Sequence, residues 1–85
     1  MSNTIDSHLI AKSIKNLRLR DGLTQKYVAE SMIYTSERNL RRYEHDGTTD
    51  IDVVNAYAEA FQVSAIDILM GVFFYPRDRV FLLLK

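Results

Sequence analysis

Residues 22–44, GLTQKYVAESMIYTSERNLRRYE, lie between two polar-glycine breaks, Asp21-Gly22 and Asp46-Gly47, and read as two short helices joined by a tight turn. Glycine at these breaks supplies the left-handed conformation that ends a helix. Thr24 is the N-cap expected for the first helix, over residues 25–31, with Val28, Ala29 and Met32 facing inward. Ala29 is small enough to let another helix cross close by. Met32, Ile33 and Tyr34 form the turn, and Thr35 or Ser36 caps the second helix, which runs to about His45. On that helix Leu40 points inward, Tyr43 does so in part, and Glu37, Arg38, Arg41 and Arg42 occupy the opposite side.

The flanking segments supply a body for this pair. Ser7 is a plausible N-cap for a first helix reaching Arg20, with Ile10, Ile14 and Leu17 in one stripe at helical period. A fourth helix over residues 51–61 has Val54, Tyr57, Ala58 and Phe61 on one face. Ser64-Ala65-Ile66-Asp67 opens a fifth helix ending near Met70, with Ile66 and Leu69 closing the core. The fold class is therefore all-α with five helices. From Gly71 the character changes: VFFYPRDRVFLLLK is aromatic and β-branched around a Tyr75-Pro76-Arg77-Asp78 turn. Two short strands are the simplest reading. An isolated hairpin is marginal in water, and an apolar strand edge invites pairing. Phe73, Phe74, Val80, Phe81, Leu82, Leu83 and Leu84 are thus expected to form a dimerisation element. Residues 1–70 then make one domain and residues 71–85 its apolar extension.

At 85 residues the chain has room for one small core, and without Cys it has neither a disulfide framework nor a thiolate metal site. The longest apolar runs, residues 72–75 and 80–84, are far shorter than a membrane span, and the N-terminal residues lack the pattern of a signal peptide. A cytoplasmic protein with no membrane partner is expected. The formal net charge is zero, yet its distribution is uneven. Residues 12–42 carry eight basic side chains (Lys12, Lys15, Arg18, Arg20, Lys26, Arg38, Arg41, Arg42) against Asp21, Glu30 and Glu37. Residues 43–76 carry six acidic ones and no Lys or Arg. A basic face and an acidic back follow. A helix basic on one side and anchored by one apolar residue suits insertion into a nucleic-acid groove.

His8 and His45 lie in different segments without a paired nucleophile or metal-ligand spacing, and no glycine-rich phosphate loop is present. No catalytic residue, metal or cofactor is expected, and the chain does not read as an enzyme.

Leu23-Thr24-Gln25, Val28-Ala29-Glu30, Leu40, Tyr43-Glu44, Gly47, and Ala58 followed by Phe61-Gln62-Val63-Ser64 and Leu69 resemble, in order and spacing, the helix-turn-helix domain of Xre/Cro-type phage repressors and bacterial regulators. The likeness covers about residues 10–71. It implies a repressor-like DNA-binding domain whose second helix lies across the DNA backbone while the third enters the major groove. By position, it implies that Gln25 contacts phosphate, that Glu37, Arg38, Arg41 and Arg42 face the bases, and that Arg18 pairs with Glu44 to tie helix one to helix three. The chain departs from the pattern in four places. Its turn has no Gly, the interval from Ala29 to Leu40 is one residue longer than usual, a residue is added before Gly47, and the Pro that usually follows is absent. A longer turn is expected to shift the recognition helix along its axis.

Arg in the major groove can pair bidentately with guanine, whereas Glu37 could only accept from a cytosine amine and would repel nearby phosphate. Arg42 and Arg38 therefore rank above Arg41 and Glu37 as base readers. Lys26, Ser36, Arg20 and His45 are candidates for sequence-independent phosphate contacts. The function expected is that of a small homodimeric regulator of transcription, a repressor reading a palindromic operator in double-stranded DNA. The rival reading is a protein-interaction module or antitoxin-type regulator whose C-terminal tail docks a partner protein.

Overall fold

The computed structural model describes residues 6–71, and within them the chain is entirely helical. Helix α1, Ser7–Arg20, is capped by Asp6, whose carboxylate accepts from the backbone N–H groups of His8 and Leu9. Ser7, expected to be the cap, is instead the first helical residue. A carboxylate at the positive end of a helix satisfies the free N–H groups and gains from the dipole, so Asp6 is the stronger cap.

The second helix, α2, begins as an α-helical turn, Gln25–Tyr27, capped by the Thr24 hydroxyl, and continues as a π-helical segment, Val28–Ile33. It outlasts its expected end: Met32 and Ile33 belong to the helix, and the turn is formed by Tyr34, Thr35 and Ser36. The extra residue between Ala29 and Leu40 is thus absorbed by wider helical turns rather than by a longer loop. The carbonyl of Ala29 accepts from Tyr34 N–H and, at 2.8 Å, from Thr35 N–H. With no Gly available, Tyr34 itself adopts the left-handed conformation, φ 61° and ψ 53°.

Helix α3, Glu37–Asp46, is capped by Ser36, which accepts from Asn39 N–H, and ends at Gly47. Gly47 has φ 78° and ψ −163°, and a Cβ there would lie 1.7 Å from the carbonyl oxygen of Ser7. Only glycine fits that close approach to the start of α1. Helices α4, Ile51–Phe61, and α5, Ala65–Met70, are capped by Asp50 and Ser64.

One core joins all five helices: Ile10, Ile14 and Leu17 of α1, Val28 and Ala29 of α2, Leu40 of α3, Val54, Tyr57 and Phe61 of α4, and Ile68 of α5. Burial of each large side chain contributes about 1.5–3 kcal/mol. The core differs from the sequence expectation in two ways. Ile66 is 62% exposed, and Ile68 takes its place with no exposure, because a helix only six residues long is oriented by its packing against α1 and α4. Ala58, Leu69 and Met32 are half-buried and pack at the margin of the core rather than within it. The expected strands, and the dimerisation residues Phe73, Phe74, Val80, Phe81, Leu82, Leu83 and Leu84, lie outside the described residues.

Candidate nucleic-acid interface

The third helix is held to the body at two points on its inner side. Leu40 is fully buried, and one turn later Glu44 enters a buried polar network. Arg18 donates to Glu44 through Nε at 2.6 Å and through Nη2 at 3.0 Å, while its Nη1 donates to the Leu23 carbonyl at 2.9 Å. The side-chain amide of Gln25 donates to Glu44 Oε1 at 3.1 Å. Glu44 therefore joins α1, the start of α2 and α3 through one carboxylate. The Tyr57 hydroxyl is buried with no hydrogen-bond partner among the described residues. Burial pushes its pKa above the ordinary tyrosine value, and the nearby charge of Glu44 adds to that shift.

With Leu40 and Glu44 turned inward, Arg38, Arg41 and Arg42 are exposed. Arg41 lies 3.3 Å from Glu37 across one helical turn. Such an exposed pair contributes little, so it gives way readily to a stronger partner. Arg42 has no carboxylate partner among the described residues. It donates to Asn39 Oδ1 at 3.3 Å and lies over the Tyr43 ring at 5.9 Å. Asn39 is steadied in turn by its own donation to Thr35 Oγ1 at 3.2 Å. Arg38 likewise has no carboxylate partner among the described residues.

An open groove of about 910 Å³ runs between α1, the start of α2, and α3. Gln25, Lys26, Glu37, Arg41, Arg42, His45 and the Arg18–Glu44 pair all line it. Its volume would hold a small molecule, but small-molecule sites are mostly apolar and this wall is charged, as suits a polyanion. Ser36 is exposed, and its hydroxyl, having accepted from Asn39, keeps its proton free to donate. His45 turns Nδ1 toward Asp46 at 2.6 Å, which leaves Nε2 as its outward nitrogen.

Arg20 does not join this group. Its guanidinium donates to Asp21 and, at 3.5 Å, to the carbonyl of Phe61 at the end of α4, and the side chain is 11% exposed. The reason is rotational: Arg18 and Arg20 are two positions apart on α1 and cannot share a face. Two side chains not singled out by sequence also bear on the site. Asn39 steers Arg42, and Lys15 lines the groove. The signal for Lys15 was available, since it stands one helical turn before Arg18 and hence on the same face.

A family model described as helix-turn-helix matches residues 14–68, from the middle of α1 to the end of the core. The chain belongs to this helix-turn-helix family. The family is the Xre/Cro type, and its members are DNA-binding regulators of transcription. Comparison with curated proteins and with solved structures returned no significant match. Among the described residues, no helix is long and apolar enough to cross a membrane.

Proposed function

We propose that this helix-turn-helix regulator represses transcription by occupying a palindromic operator as a homodimer, with α3 in the major groove of each half-site. The observation that carries this reading is the freedom of Arg38 and Arg42. Both are exposed on a helix fixed from behind by Leu40 and Glu44, and neither is tied to a carboxylate among the described residues. Arg42 and Arg38 reach guanine edges, each bidentate pair being worth about 1–3 kcal/mol of discrimination. Arg41 and Glu37 face the bases as a weaker pair. Gln25, Lys26, Ser36 and His45 meet the phosphates and supply the salt-sensitive part of the affinity.

One short helix reads too few base pairs for regulation. Two copies presenting their α3 helices about 34–36 Å apart would read a two-fold site. The apolar residues 71–85 are the proposed contact between copies. Repression is taken to act by occupancy, an operator covered by the paired reading heads being closed to other proteins. A cytoplasmic location accords with this role.

Selection of bound sequences from a random duplex pool tests the reading. Recovery of an inverted repeat, together with sedimentation as a dimer, is the expected result. Recovery of no common sequence, or a monomer at high micromolar concentration that still binds its selected site without residues 71–85, would overturn it.

A further inference from the structure

Five lysine and arginine side chains line the groove between α1 and α3: Lys15, Arg18, Lys26, Arg41 and Arg42. Three carboxylates line it too, Glu37, Glu44 and Asp46, and each already has a partner. Glu44 is taken by Arg18 and Gln25, Glu37 by Arg41, and Asp46 by His45. Among the described residues, the groove cations left without a carboxylate are Lys15, Lys26 and Arg42, one from each of three helices.

Arg42 lies on the face of α3 assigned to the bases. The other two stand on α1 and α2, line the groove together with the buried Arg18–Glu44 pair, and are both exposed. A lysine ammonium on a flexible stem suits a phosphodiester, which asks for charge rather than for a fixed fork. We propose that Lys15 is a phosphate-contacting residue, so that the duplex backbone crosses the groove from Lys26 on α2 to Lys15 on α1. The ligand is the phosphodiester track flanking the base pairs read by α3. This inference rests on the DNA-binding reading given above and extends the footprint to a helix whose two arginines are used elsewhere: Arg18 holds Glu44, and Arg20 points to α4.

Lys12 provides the internal control. It stands one turn earlier on α1, is exposed, and does not line the groove. Binding of the full chain to a 20-base-pair duplex of arbitrary sequence is followed by fluorescence anisotropy across a salt series, for wild type, Lys15→Gln and Lys12→Gln. Losing one phosphate contact lowers the slope of log affinity against log salt by about 0.9. The expected result is that drop for Lys15→Gln and an unchanged slope for Lys12→Gln. A wild-type slope in Lys15→Gln, or an equal drop in both variants, would overturn the assignment of Lys15 while leaving DNA binding intact. A wild-type chain without salt-dependent duplex affinity would instead overturn the DNA-binding reading, and this assignment with it.

Discussion

Arg18 grips Glu44 through two nitrogens of its guanidinium, with side chains only 12% and 4% exposed, and this pair fixes α3 against α1. Removing one partner of a buried pair leaves an uncompensated charge, at a cost of about 3–5 kcal/mol. Glu44→Gln should therefore lower stability in denaturant titration by that amount, a large share of what a small domain possesses. Arg18→Met combined with Glu44→Leu should recover most of it, because both charges are then gone. A loss below about 1 kcal/mol in Glu44→Gln would show that the pair is solvated and does not brace the helix.

Gly47 tests the junction between α3 and α1. Its backbone lies where a side chain is strained, and a Cβ would collide with the Ser7 carbonyl, a main-chain atom that cannot swing aside. Gly47→Ala should cost at least about 2 kcal/mol in the same titration. An unchanged midpoint would mean that the two helices do not approach this closely.

Tyr34 holds a left-handed conformation while its side chain is 81% exposed, so it carries strain without burial in return. Tyr34→Gly removes strain worth about 1–2 kcal/mol and adds about 0.5–1 kcal/mol of chain entropy to the unfolded state. A small net gain, about 0.5–1 kcal/mol, is expected in thermal or chemical unfolding. A clear loss would show that the Tyr34 ring contributes packing absent from the described structure.

Tyr57 makes a pH prediction. Its folded-state pKa is raised above the unfolded value, so the stability it contributes is complete below about pH 10 and declines as pH rises further, when the unfolded chain releases a proton the folded one retains. The decline approaches roughly 1.4 kcal/mol per pH unit. Tyr57→Phe should lack this alkaline component and, by deleting a buried hydroxyl without a partner, should be at least as stable as wild type at neutral pH. Parallel unfolding curves for the two proteins between pH 9 and 11 would contradict it.

Much of the architecture was legible because helix ends are written in side-chain chemistry. Thr24, Ser36, Asp50 and Ser64 cap as their residue types suggest, and α4 spans Ile51–Phe61 as its apolar spacing indicates. What was not legible depended on packing. Ile66, Ile68 and Leu69 are chemically alike, and in a helix of six residues only contact with the body decides which is buried. The π-helical turns in α2 arise because Ala29 and Leu40 must both reach the core, so the extra residue between them is taken up where the backbone can widen. At the interface, charge asymmetry pointed to a basic face, but the division of cations into occupied and unoccupied ones required tertiary distances. The resemblance already paired Arg18 with Glu44. Arg41 and Arg20, however, look as free in sequence as Arg38 and Arg42, yet each has a carboxylate partner.

The most direct test is the affinity of Arg42→Ala for a selected operator duplex and for an unrelated duplex of equal length at the same salt. If α3 reads bases through Arg42, the variant should lose about 1–3 kcal/mol on the operator, roughly 5- to 150-fold, and only a few-fold on the unrelated duplex. Equal losses on both would reduce Arg42 to a backbone contact and contradict base reading by this helix face.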